Sequence, residues 1–392
     1  MKMNCKHFGI CGGCSHLDIP YGDQLRTKQK LVHDSFHFLC DNSNVIRQIA
    51  PCPVDAYYRN KMEFVFDDES GAFALGLHQK ARYNKIVDIK ECSAFSENTG
   101  KILDTARQWA MDNRIPIFSI KKQTGILRYL VLRETKKTKQ LMCNLIVSVS
   151  PYVFEYEFKK LALNLAERLK KANVSLACMT VGLSNSKSDV ALADQNYLIY
   201  GNDSIDEKIG KLTYKIFPYT FFQTNSYVCE ELYNTLRELS GHSEETTAFD
   251  LFCGSGGIAL YVSKVFEKII GIELNPKSIE NAALNANLNS IKNCEFVCDR
   301  VENYLSKFDF SKFKVKLSTV IIDPPRAGLQ KKSVQAVIDL NPSSIIYVSC
   351  KPESILNDLQ NLLQYYKITF VQPFDMFPHT PHLEIAVKLV HK

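Results

Sequence analysis

"AFDLFCGSGGIAL", from Ala248 to Leu260, decides the fold. An apolar run ends at Asp250, glycines follow at 254, 256 and 257, and a helix-compatible stretch begins. Glycines there let the backbone turn tightly and approach a ligand, and a helix N-terminus favours electron-rich groups. Around it, "TTAFDLF", "KIIGIEL", "CEFVCD", "LSTVIIDPP" and "SSIIYVSC" are short apolar runs separated by helical segments at 256–266, 276–289, 330–339 and 353–365. Such runs are typical of strands buried on both faces of a parallel sheet. Their alternation with helices predicts an α/β, doubly wound, Rossmann-like C-terminal domain.

Asp250, Glu273 and Asp323 all fall at the carboxyl ends of expected strands, where open α/β sheets bind ligands. Glu273 follows the glycine turn by about 20 residues, the spacing at which a carboxylate holds ribose hydroxyls. The G-x-G-x-x-G fingerprint of NAD-binding proteins is missing. The pattern here, D-x-F-x-G-x-G-G, suits S-adenosylmethionine better. Phe252 and Cys253 also fit ordinary core packing.

Upstream the texture is different. A helix is expected from Tyr21 to about Phe38, then strands in "RNKMEFVFDD", "FALGLHQ" and "KIVDIKEC", a helix at 96–113, strands in "ILRYLVLRET" and "KQLMCNLIVSVS", and a helix at 155–172. This predicts an antiparallel α+β half. Three segments are expected: a cysteine-rich stretch at 1–18, an α+β domain at 19–210, and the Rossmann-like domain at 211–392. Helix 21–38 is expected to reach the catalytic domain.

The 392 residues carry a net charge of +6, with 45% hydrophobic and 23% charged side chains, which suits a two-domain globular protein. No apolar run is long enough to span a bilayer and the N-terminus lacks a signal-peptide core, so a cytoplasmic protein with no membrane partner is expected. Thirteen cysteines in a reducing compartment point to metal ligation or thiol chemistry for some of them. Cys5, Cys11 and Cys14 follow C-x5-C-x2-C, and Cys92 in "IKECSAF" is a fourth soft ligand, a set for zinc or an iron–sulfur cluster.

Cys350 ends a strand, so the fold delivers it to the same crevice as the glycine turn. It reads either as an inert buried cysteine or as a nucleophile whose thiolate Lys351 favours. Downstream, "DMFPHTPHLEIAVKLV" sets His379, His382 and Glu384 at the start of a last strand. A glutamate there is commonly solvated or salt-bridged; beside a reactive thiol it serves as a general base.

Taken together, "FFQTN" (221–225), "DLFCGSGG" (250–257), "GIE" (271–273), "DPPRAGL" (323–329), "SC" (349–350) and "HLE" (382–384) resemble the RNA (uracil-5-)-methyltransferases that use S-adenosylmethionine. The resemblance implies that Cys350 is the nucleophile and Glu384 the base, and that Gln223, Phe252, Glu273 and Asp323 contact the cofactor. It also implies a [4Fe-4S] cluster on Cys5, Cys11, Cys14 and Cys92, a feature of the 23S ribosomal RNA branch of the family. "YRNKMEFVF" (58–66) and "LRYLVLRETKK" (127–137) resemble family segments as well, making Arg59, Lys61, Arg128 and Arg133 candidate RNA contacts, with a solvated charged face as the alternative.

Only four residues precede Cys5, so the short form of the family, without an extra N-terminal β-barrel, is expected. The expected partner is RNA, 23S rRNA above all, with no DNA, and the expected state is a monomer. Rival readings are the same reaction on a tRNA loop, cytosine-C5 methylation, and a non-catalytic iron–sulfur RNA-binding protein. Cytosine enzymes usually carry a cysteine after Asp-Pro-Pro, where this chain has Arg326.

Overall fold

Met62, Phe64 and Phe66 are buried and alternate with more exposed neighbours along Lys61–Asp67 (β1), the period of a strand with one face on a core. In the computed structural model, which describes residues 5–68, 71–149, 157–241, 243–308 and 316–392, β1 belongs to a seven-stranded sheet. Its companions are Ala74–Gln79 (β2), Arg82–Asp88 (β3), Leu127–Glu134 (β4), Leu141–Ser148 (β5), Leu176–Ser184 (β6) and Gln195–Gly201 (β7). The order is β3-β2-β1-β4-β5-β6-β7.

The helices of this half are Tyr21–Phe36 (α1), Thr99–Asp112 (α2) and Glu157–Lys171 (α3). The expected start of the third, at 155 and 156, lies outside the described residues. One expectation is corrected here: the sheet is not wholly antiparallel, because β5 and β6 run parallel. The chain crosses over between them through α3, the connection that a parallel pair requires. Helices α2 and α3 cover one face, and Trp109, Leu103 and Leu165 are fully buried there with Phe64 and Leu130.

A hairpin of Ile205–Ile209 (β8) and Leu212–Ile216 (β9) leads into the second sheet. Its strands are Ser243–Leu251 (β10), Phe266–Glu273 (β11), Cys294–Cys298 (β12), Lys316–Ile322 (β13), Ser344–Ser349 (β14), Tyr366–Phe374 (β15) and Glu384–His391 (β16). The order β12-β11-β10-β13-β14-β16-β15 is parallel from β12 through β14, with β16 reversed between β14 and β15. Helices Ser226–Ser240 (α4), Gly257–Val262 (α5), Pro276–Leu288 (α6), Val301–Lys307 (α7), Lys331–Leu340 (α8) and Pro352–Leu362 (α9) accompany it. This is the doubly wound, Rossmann-like sheet expected from the apolar runs. The helix expected over 256–266 is shorter: a 3-10 turn at Ser263–Val265 replaces its end, and Phe266 already opens β11.

Helix α1 does not stay with the first sheet. Its Val32 and Phe36 are fully buried in one cluster with Phe249, Leu251, Ile355 and Val371 of the second. On the same helix, Lys28 Nζ sits 2.5 Å from Asp375 Oδ1, both side chains inaccessible to solvent. This ion pair ties helix α1 to the end of β15. Among the described residues no helix is long and apolar enough to cross a membrane.

Candidate active site

The turn after β10 is strained on purpose. Gly254 and Gly256 have φ of +52° and +80°, and a Cβ on Gly256 would come within 2.9 Å of the Phe296 ring. Nothing lies within 4 Å of where a Cβ on Gly254 would be, so the backbone there faces open space. Phe252 shares the left-handed conformation, at +64°, without glycine's freedom. Such a residue costs about 1–3 kcal/mol and persists where its surroundings hold it. Its half-buried ring packs against the hydrophobic cluster that holds Phe249 and Leu251, so packing is at least part of its job.

Three carboxyl groups converge beside this turn. Asp250 is fully buried; its Oδ2 accepts the Ala259 N–H at 2.9 Å, and Oδ1 has no protein partner among the described residues. Burial pushes its carboxyl up to about 8, and the neighbouring Asp323 and Glu273 add to the rise. Glu273 closes β11, accepting N–H groups from Gly254 at 3.3 Å and Asn275 at 2.9 Å. Asp323 follows β13, and burial lifts it to about 7 against a hydrogen bond from Gln223 Nε2 at 3.2 Å. Open backbone at a glycine turn with three acids beside it suits a cationic ligand bearing hydroxyl groups, and S-adenosylmethionine is one.

Gln223 is held from the other half of the molecule. Asn60, just before β1, donates its Nδ2 to the Gln223 carbonyl at 2.8 Å and to Ser226 Oγ at 3.0 Å. Ser226 Oγ donates in turn to the buried Glu207 at 2.7 Å. Sequence reading missed Asn60, because nothing local marks an asparagine whose partners lie more than 160 positions away.

The thiol and the glutamate meet through strand register. β14 pairs antiparallel with β16, Ser349 opposite Ile385, so Cys350 and Glu384 occupy the next position on the same end. Glu384 is buried, and its carboxyl is raised well above the usual range by burial and by Asp323, against the opposing Arg326 charge. Half-buried Cys350 is also raised, by burial and then by Glu384, with Arg326 again opposing. The cation acting on the thiol is therefore Arg326, brought by the loop after β13. Lys351, the chain neighbour expected to do this, is exposed at the start of α9.

The loop that delivers Glu384 is fastened from the N-terminus. The His379 carbonyl accepts N–H groups from Ser15 at 2.9 Å and His16 at 3.0 Å, and its own N–H donates to Gln24 Oε1 at 2.9 Å. Tyr58 O–H donates to the Pro378 carbonyl at 2.9 Å. His379, an ionisable candidate by sequence, is buried with its Nδ1 3.1 Å from Gln24 Nε2 and its Nε2 2.9 Å from the Asp55 carbonyl.

Cys5, Cys11, Cys14 and Cys92 line one small cavity with Phe8, Tyr58, Arg59 and Glu91. All four are free thiols. Cys14 is pushed up to about 12 by burial and by the other three, and Cys92 to about 11. Among the described residues, no three His, Cys, Asp or Glu side chains close in tightly enough to form a ready site for a single metal ion. Burial together with the neighbouring sulfur atoms thus favours the protonated form of Cys14 and Cys92.

Two of the four candidate RNA contacts are corrected. Arg128 is buried, donating to the Ser186 and Ser188 carbonyls with its guanidinium 4.4 Å from the Phe118 ring centroid. Arg133 is buried as well and donates to the Thr220 carbonyl at 2.5 Å. Both guanidinium groups lie inside the fold. Lys61 is partly exposed and paired with Glu63 at 2.6 Å, and Arg59 belongs to the wall of the cysteine cavity.

Comparison with known proteins agrees with this geometry. A family model described as tRNA (uracil-5-)-methyltransferase matches residues 21–392. An uncharacterised RNA methyltransferase of Clostridium tetani is 36% identical over 397 aligned positions, covering 100% of this chain and 84% of the relative. Another, from Clostridium acetobutylicum, is 36% identical over 99% of this chain and 84% of its own length. The crystal structure of the Pyrococcus abyssi tRNA (uracil-54, C5)-methyltransferase in complex with S-adenosyl-L-homocysteine superposes with a TM-score of 0.75 at 29% identity, over 97% of this chain and 86% of that one. The chain belongs to the tRNA (uracil-5-)-methyltransferase family of RNA-methylating enzymes.

Proposed function

We propose that the protein methylates C5 of a uridine in RNA, with Cys350 as nucleophile and Glu384 as base. The observation that carries this reading is the register that brings Cys350 and the buried Glu384 to one end of β14 and β16, where Asp323 and Arg326 act on both. Uracil C5 is too weak a nucleophile to react unaided. Cys350, as thiolate, adds to C6 and pushes electron density to C5. Gln223, Phe252, Glu273 and Asp323 would hold S-adenosylmethionine, which would supply an electrophilic methyl group to C5 and leave as S-adenosylhomocysteine when its methyl–sulfur bond breaks. Glu384 then takes the C5 proton, the C6–sulfur bond breaks, and Cys350 is released. The base must leave its stack to meet the thiol, so an unpaired or flipped uridine is the target.

The test is a trap. RNA substituted with 5-fluorouracil has no C5 proton to lose, so the adduct should persist on Cys350 with labelled methyl attached. Active protein that forms no adduct at Cys350 would sink the mechanism.

We assign 23S rRNA as the substrate and a [4Fe-4S] cluster to Cys5, Cys11, Cys14 and Cys92, on the strength of the four-thiol cavity. The resident cluster would order the N-terminal segment; the methyl transfer itself needs no electron transfer. A tRNA loop is the second reading, favoured by the likeness to the Pyrococcus abyssi tRNA enzyme. Mapping 5-methyluridine in ribosomal and transfer RNA from cells with and without the gene separates the two. Protein purified without oxygen should be brown and contain iron and sulfide, and a colourless, iron-free preparation removes the cluster.

A further inference from the structure

The hairpin joining β2 to β3 reads Gln79-Lys80-Ala81-Arg82-Tyr83-Asn84-Lys85, and the functional reading leaves it unused. Residues 80 to 85 are all exposed, on both faces of an edge strand, so the tip stands clear of the body. Tyr83 is 81% exposed, the most of any large hydrophobic side chain among the described residues. Lys80, Arg82 and Lys85 have no ion-pair partner among the described residues, and the stretch holds no acid.

The tip is also held firmly. Gly12 N–H donates to the His78 carbonyl at 3.0 Å, and Lys80 N–H donates to the Ile10 carbonyl at 2.8 Å. Ala81 sits at φ +60°, a conformation most residues avoid, and His78 Nδ1 lies 2.6 Å from the Tyr83 carbonyl. The segment that staples the tip continues to Ser15 and His16, which grip the His379 carbonyl five residues before Glu384. A short stretch of chain therefore contacts both the hairpin and the His379 loop.

We propose that this hairpin docks single-stranded RNA beside the target uridine, Lys80, Arg82 and Lys85 meeting phosphates and Tyr83 stacking on one base. Cations around an exposed ring are the combination that holds unpaired nucleic acid: charge tracks the backbone and the aromatic face takes any base. An acidic protein would use the cations but leave Tyr83 idle. The inference rests on the RNA-methylating function proposed above and extends it to a contact surface.

The experiment uses the full chain and fluorescein-labelled oligouridine, read by anisotropy over a range of salt. Lys80→Ala, Arg82→Ala and Lys85→Ala combined should weaken binding at least about tenfold at low salt and flatten the log–log salt slope by about 2. Tyr83→Ala should lose about fivefold to a hundredfold with the slope unchanged, and Tyr83→Phe should restore it. S-adenosylmethionine affinity, measured by calorimetry, and kcat at saturating RNA should stay at wild-type values, which shows that the variants fold. Wild-type affinity and slope in the triple variant overturn the docking surface, as does a Tyr83→Ala protein that binds as wild type. Methyl transfer to uridine by the wild-type protein is scored separately, so the surface can fail while the function stands.

Discussion

Cys350 and Glu384 are neighbours because β16 runs backwards: the register that sets Ser349 against Ile385 brings the thiol and the carboxyl to one end of the ladder. They are 34 positions apart in sequence, and only the reversed strand inserted beside β14 makes them a pair. Both groups are pushed towards their neutral forms by burial, and Arg326 opposes that in each case.

Replacing either group should stop turnover at a different point. Cys350→Ala should abolish both methyl transfer and adduct formation. Glu384→Gln should lower turnover by about 100- to 10,000-fold while a covalent RNA–protein species accumulates, visible as a shifted band on denaturing gels. Unchanged turnover in Glu384→Gln would mean that another base takes the C5 proton.

Activity should climb with pH. The thiol's pKa is raised in the free protein, so the nucleophilic thiolate becomes more abundant through and above the ordinary thiol range of about 8–9. Arg326→Gln removes the cation that favours the thiolate, and should move the rising limb to higher pH and cut the rate at pH 7.5 by about tenfold or more. Iodoacetamide alkylation of Cys350 against pH reads the same shift without substrate.

Cofactor affinity should rise with pH as well. Asp250 and Asp323 are lifted to about 8 and about 7, so below those values they are largely protonated, and a cationic ligand favours their ionised forms. S-adenosylmethionine should bind at least about tenfold more tightly at pH 8.5 than at pH 6, with proton release seen by calorimetry in two buffers. S-adenosylhomocysteine, whose sulfur is neutral, should depend on pH less. Because the folded protein holds these protons more tightly than the unfolded chain does, the two groups also make the ligand-free fold less stable as pH rises from about 4 towards 8.

The Lys28–Asp375 pair should prove costly to break. Both ends are inaccessible to solvent; Lys28 Nζ also donates to the Phe377 carbonyl at 3.1 Å, and Tyr21 O–H donates to Asp375 at 2.7 Å. Lys28→Met leaves a buried carboxylate without its cation and should destabilise the protein by about 3 kcal/mol in chemical denaturation. Adding Asp375→Asn should recover part of the loss.

Period and composition made much of this legible. Apolar runs broken by helices announced the parallel sheet, and the glycine turn after Asp250 announced a ligand at its edge, because each signal depends on neighbours within a few positions. The same locality explains the errors. Arg128 and Arg133 look like RNA contacts in one dimension, but burial is settled by elements far along the chain, Ser186 and Ser188 for one and Thr220 for the other. Lys351 lies next to the thiol in the chain and yet Arg326 is the cation that reaches it.

By itself, then, the sequence determined the types of element, the glycine turn and the chemical identity of the candidate groups. Tertiary structure alone decided which of those groups meet: the reversed β16 against β14, Asn60 reaching across to Gln223, and residues 10–16 joining the hairpin tip to the His379 loop. Local backbone preferences are written in adjacent residues, whereas hydrogen bonds and charge contacts between segments distant in the chain exist only once it has closed on itself.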